Sequence, residues 1–152
     1  MTVLVGVDGS RNSSVAIRLA QQEAAYRDTS LTAVMANSSD SALGAPAARP
    51  LATPAPPEEE SQAWESVLRQ AVLDALGRID GVELRAVAGA PGRVLVQEAR
   101  VLDADLVVLA TRKEHAPSRL LGPVSQYVLR NAPCPVLVVP DESKEPDAPA
   151  AR

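Results

Sequence analysis

The chain has no phenylalanine, one tryptophan and two tyrosines, so aromatic residues make up only 2% of its 152 positions. A core must then come from Val, Leu, Ile and Ala, which suits the many thin helix–sheet contacts of a layered α/β architecture. One cysteine excludes an intramolecular disulfide and a cysteine-based metal cluster. One histidine, His115, excludes any site that needs two, including the common zinc arrangements. Positive charge is also short: 15 Lys and Arg face 19 Asp and Glu, a formal net charge of −4. That balance argues against general nucleic-acid binding, which depends on neutralising phosphates. No apolar run approaches the length of about eighteen residues that a membrane helix needs. The first residues enter an apolar strand directly, without the charged start of a signal peptide. The expectation is a cytoplasmic protein.

What the chain does have is short, valine-rich apolar runs. Asp105 to Pro140 is the most informative stretch. Leu106 to Leu109 has the length and composition of a strand buried on both faces. A basic loop follows from Thr111 to Arg119, and Leu120-Leu121-Gly122-Pro123 leads into a helix from Val124 to Asn131. Pro123 suits the first helical position, where its missing N–H has no intrahelical partner. Val124, Val128 and Leu129 line one side of that helix. Pro133-Cys134-Pro135 breaks it, and Val136 to Val139 forms another strand. Strand, helix and strand at this spacing form a βαβ unit in a parallel sheet. Ligands of such sheets bind beyond the carboxyl ends of the strands, where the Thr111 loop leaves.

The same alternation runs through the rest of the chain. Val3 to Val7 reads as a strand, and Ser10 or Asn12 is placed to cap the helix after it. That helix turns Ala16, Leu19, Ala20 and Ala24 to the sheet, and Leu31 to Ala36 is the second strand. Glu58-Glu59-Glu60 opens a long helix, where acidic residues suit the positive end of the helix dipole. Trp64, Leu68, Ala71, Ala75 and Ile79 recur at helical spacing, with Val67, Val72 and Leu76 widening the stripe. This makes Trp64 an anchor of the core stripe ahead of a ligand-stacking residue. Val82 to Ala88 is the third strand, and the following helix carries Val94, Leu95, Ala99 and Leu102. In all, five strands alternate with four helices over residues 1–140. Residues 37–57, rich in Pro, Ser and Ala, read as a flexible insertion, and residues 141–152 as a disordered tail.

Catalytic signatures are sparse. Ser118 near His115 shows no nucleophile-elbow pattern. Cys134, between two prolines at a strand start, reads as a small buried hydrophobe. There is no GxxxxGK[ST] loop, and Gly89-Ala90-Pro91-Gly92 is too compact for a GxGxxG fingerprint. Asp8 stands out, a carboxylate followed by Gly9 where the first strand ends. Taken alone it is a turn residue.

Taken together, Val3 to Ser10, Gly89-x-Pro91, Ala104 to Val108, and Leu121 to Val139 resemble the universal stress protein family. The resemblance covers roughly Thr2 to Pro140, and its closing segment is the most specific part. It implies a Rossmann-like, open five-stranded parallel sheet of order 3-2-1-4-5 with helices on both faces. It also implies a crevice between the first and fourth strands. Nucleotide-binding members hold ATP there with the acid after strand one, backbone at the end of strand two, and a Gly-x2-Gly-x9-Gly-Ser/Thr motif after strand four. Carried onto this sequence, those positions are Asp8, Ala36, Ala110, Arg112, Lys113, Gly122, Val124 and Ser125. The motif is eroded: Ala110 and Lys113 stand at the first two glycines. Glu114 to Leu121 is eight residues, one short, and Pro123 replaces the Ser/Thr. Backbone N–H groups approach phosphates only where no side chain intervenes, so these changes weaken a phosphate site. Lys113, or Arg112 beside it, is expected to reach toward Asp8 and fill the phosphate space.

The function implied is a non-enzymatic, dimeric stress-response module with no firmly held cofactor. The alternative is a divergent binder of ATP with Mg, at most slowly hydrolytic, in which basic side chains replace backbone donors. An α/β enzyme of the electron-transfer flavoprotein or adenine-hydrolase type is a third class, but a phosphate loop and an evident base are missing. The expected partner is a second copy, paired through the outer strand at Val136, Leu137, Val138 and Val139. Protein partners are open, and neither nucleic acid nor membrane is expected.

Overall fold

A computed structural model of the chain describes residues 1–37, 58–111 and 121–140. The elements alternate without exception among these residues. They are β1 (Thr2–Gly6), α1 (Arg11–Tyr26), β2 (Ser30–Asn37), α2 (Glu58–Leu76), β3 (Val82–Ala88), α3 (Pro91–Val101), β4 (Ala104–Ala110), α4 (Pro123–Asn131) and β5 (Val136–Val139). All strand pairs are parallel, in the order β3-β2-β1-β4-β5. The fold is the open five-stranded α/β sheet that the resemblance implied. Asn37, placed by sequence in the insertion, is instead the buried last residue of β2. The insertion beyond it, residues 38–57, and the tail at 141–152 lie outside the described residues.

Side-chain alternation divides the valine-rich strands between two layers. Val3, Val5, Ala33, Met35, Leu106 and Val108 face α1 and α2, where Ala16, Ile17, Ala20, Leu68 and Val72 meet them. Leu4, Val34, Val107 and Leu109 face α3 and α4, against Val94, Leu95, Ala99 and Val128. The central strands β1 and β4 are therefore apolar on both faces, as their continuous runs require. The layers can be thin because small residues sit at the contacts. A Cβ on Gly92 would come within 3.0 Å of the Tyr127 ring, so glycine allows α3 and α4 to close on each other.

Several helix faces differ from the sequence pattern. In α4 the buried residues are Ser125 and Val128, while Val124 and Leu129 are exposed. The helix starts at Pro123 with Gly122 as its cap, and this phase turns Ser125, Val128 and the following Ala132 inward. Val67 is also exposed, and Ile17, absent from the expected face of α1, is fully buried. Glu98 of α3 is buried as well, because its carboxylate pairs with Arg85 of β3. Arg85 also meets Glu83 at 3.2 Å, and these two carboxylates, Glu83 first, raise the guanidinium pKa further.

Cys134 is half-buried against the α3/α4 layer, in keeping with its reading as a small hydrophobe. Burial, and then the negative charge of Asp105, raises its thiol pKa. Less thiolate exists at any given pH, and the thiolate is the nucleophile. Alkylation of the folded protein at neutral pH should run slower than that of the unfolded chain. Mass spectrometry of timed iodoacetamide quenches measures this, and equal rates would contradict it.

Candidate functional site

In a parallel sheet with these connections, every helix that follows a strand begins at the carboxyl edge. The N-termini of α1, α3 and α4 consequently converge above β1 and β4, where the strand order reverses. A crevice of about 240 Å³ lies there. Its floor is lined by small residues at or near the carboxyl ends of three adjacent strands: Gly6 on β1, Ala36 on β2 and Ala110 on β4. Leu95 and Leu109 form one wall, Met35 and Trp64 the other, and Gly122 to Ser125 close the end at α4. Gly6 has no room for a side chain, since a Cβ would lie 2.8 Å from Leu109 Cδ2.

Asp8 sits on the rim, exposed, in a tight turn with Gly9 at φ +80°. Its Oδ1 accepts hydrogen bonds from the Ser10 N–H at 2.9 Å and the Ser13 hydroxyl at 2.6 Å. The Asp8 N–H donates in turn to Ser13 Oγ at 3.1 Å. Asp8 thus orders the first turn of α1 as well as bordering the crevice. Ser10 is the N-cap by position, but its hydroxyl makes no cap bond. Asn12, the other expected cap, turns away, and its Nδ2 donates to the Thr111 carbonyl at 3.0 Å. This bond ties α1 to the point where the chain leaves β4.

The end of β2 carries a second feature. The Val34 carbonyl accepts from the Val7 N–H, and the Asn37 carbonyl accepts from the Gly89 N–H beside β3. Alternate residues of a strand direct their backbone groups to opposite neighbours. Ala36 therefore turns its N–H and C=O toward the β1 side, beyond Gly6 where β1 has ended. A donor and an acceptor on one residue match the edge of a planar heterocycle.

At α4, Gly122 is the N-cap and Pro123 the first helical residue, so Val124 and Ser125 hold the orphan N–H groups of the first turn. Ser125 is buried, and Val124 is partly exposed. Of the residues singled out from the sequence, Asp8, Ala36, Ala110, Gly122, Val124 and Ser125 all line the one crevice. Arg112 and Lys113 lie outside the described residues, and so does the expected contact between Lys113 and Asp8. Trp64 does more than the stripe suggested: it packs on the core and also lines the crevice. Gly6 and Leu95 are further lining residues that the motif reading did not find. Gly6, the one glycine within an apolar strand run, was the available signal.

The universal stress protein family model matches residues 1–140. A universal stress protein of Mycobacterium tuberculosis is 33% identical, over 92% of this chain and 48% of its own length. One from Mycobacterium bovis is 32% identical, over 95% of this chain and 50% of its own. The chain spans about half the length of these curated relatives. Among solved structures, a universal stress protein in complex with cAMP is 29% identical with a TM-score of 0.63, over 91% of this chain and 95% of that one. A family protein from Burkholderia pseudomallei is 25% identical with a TM-score of 0.61, over 92% and 96%. With the sheet order and the crevice at its switch point, these matches establish that the chain belongs to the universal stress protein family.

Proposed function

We propose that this chain is a non-enzymatic, homodimeric stress-response module whose crevice takes the nucleoside end of an adenine nucleotide and holds phosphates weakly. The crevice itself carries this reading. It is small, mostly apolar and backed by the outward-facing peptide groups of Ala36. About 240 Å³ lies below the ~300–1,000 Å³ of typical ligand pockets, which suits a nucleoside better than a triphosphate. The cAMP complex of a 29% identical relative supports the ligand class. The phosphate end is poorer. Ala110 and Pro123 stand where the family's glycine and Ser/Thr would be, leaving the N–H groups of Val124 and Ser125 at the positive end of α4. That is enough for a single phosphate, with little gain from two more.

Calorimetric titration with AMP, cAMP and Mg-ATP tests the reading. Dissociation constants of about 0.1–1 mM are expected, with ATP and AMP within about threefold of each other. A second reading, a divergent ATP binder using Arg112 and Lys113 in place of backbone donors, draws support from the open crevice between Asp8 and Ala110. ATP binding below about 10 μM would establish that reading and overturn the first. A hydrolysis rate above background in the same samples would overturn the non-enzymatic assignment.

A further inference from the structure

Trp64 is the one tryptophan of the chain, and its place in the fold is unusual for a core anchor. It lies one turn before Leu68 and two before Val72, the two buried residues of α2. Residues four apart share a helix face, so the indole continues the stripe that packs on the sheet. Yet Trp64 is only half-buried and lines the crevice, as Met35 and Ala36 do. The stripe thus packs on the core and at its N-terminal end reaches the crevice. A tether holds it there: Asn37 Nδ2 lies 3.4 Å from Glu60 Oε1, joining the end of β2 to the first turn of α2. The crevice that Trp64 lines is also bordered by Gly6, Ala36 and Ala110, small residues at or near the carboxyl ends of their strands, so the indole shares an open cavity with them.

We infer that Trp64 is the base-stacking wall of the crevice and selects flat purine bases over the sugar-phosphate part of a ligand. This rests on the nucleotide reading above and deepens it. An indole face attracts any large π-system, while the paired donor and acceptor of Ala36 would read the edge of the same ring. Stacking on a single aromatic ring contributes enough that its loss weakens binding by about five- to hundred-fold. A Trp64 that served the core alone would leave affinity for the folded protein unchanged.

The experiment uses the full chain and three probes: AMP, adenosine and ribose 5-phosphate. Calorimetry first establishes whether AMP binds, which tests the nucleotide reading by itself. Fluorescence of the single tryptophan then tests the inference. AMP and adenosine are expected to quench it saturably at the calorimetric midpoint, and ribose 5-phosphate is not. Trp64→Leu should weaken AMP and adenosine by about tenfold while leaving ribose 5-phosphate unchanged, and Trp64→Phe should restore most of the affinity. Should Trp64→Leu fail to fold, Trp64→Phe and the quenching of the unmodified protein still decide. AMP binding with no quenching, or with equal affinity in the Leu variant, would overturn the stacking role and leave the nucleotide reading standing. No AMP binding by calorimetry would overturn both.

Discussion

Leu68→Ala should lower the unfolding free energy by about 2–5 kcal/mol, the range for deleting a fully buried leucine. Leu68 is 0% exposed, and with Val72 it accounts for the buried residues of a 19-residue helix. Trp64, Ala71, Ala75 and Leu76 support it from the margins of the same layer. The lost side chain faces a sheet whose strands cannot shift toward α2 without breaking their ladders. The cavity therefore collapses only in part, which favours the upper half of the range. Val67→Ala, one position earlier and exposed, should cost about 0.5 kcal/mol or less. Urea titration of both variants is the measurement. A loss below about 1 kcal/mol for Leu68→Ala would mean that α2 is not held as described. The Leu68 variant should also change the emission of Trp64, because the two share one helix face.

Val138→Pro should convert a dimer into a monomer that remains folded. β5 is an outer strand, four residues long and apolar throughout. The Pro135 carbonyl accepts from the Val107 N–H and the Val139 carbonyl from the Thr111 N–H, so the odd-numbered residues bond to β4. By alternation Val136 and Val138 direct their N–H and C=O outward along the edge. Such an edge is a template for another strand, and a second copy running antiparallel would satisfy it. Proline at 138 deletes an outward donor and leaves the ladder to β4 intact, the position where an edge strand tolerates it. Leu137→Pro, one residue away, removes an inward ladder bond and should instead unfold the protein, at a cost of about 3 kcal/mol or more. Sedimentation should give twice the chain mass for the unmodified protein and the chain mass for Val138→Pro. A monomeric unmodified protein at high micromolar concentration would contradict the proposed dimer, as would a dimeric Val138→Pro variant.

The alternation of strands and helices was legible because the strands are short, mostly apolar runs, most of them bounded by Gly, Pro or Asp. Val82 to Ala88 and Val136 to Val139 match their observed limits. The order of the strands came only through the family resemblance, because periodicity carries no information about neighbours. Helix faces were less legible in α4, where Val124 and Leu129, though exposed, are as apolar as the buried Val128. With nine residues, the hydrophobic pattern is too brief to set the phase, and the Gly122 cap set it instead. Glu98 was invisible for another reason. A buried carboxylate needs a partner, and Arg85 is on a different element thirteen residues earlier.

By itself, then, the sequence determined an α/β chain with apolar central strands, a carboxylate after the first of them and a phosphate motif without its first two glycines. Those are local matters of composition and order. Tertiary structure alone decided that Gly6, Ala36 and Ala110, from three adjacent strands, border one cavity, and that Trp64 lines it. The crossovers bring residues from opposite ends of the chain to one edge of the sheet. Whether a side chain there packs or lines open space depends on the size of neighbours that lie far away in sequence.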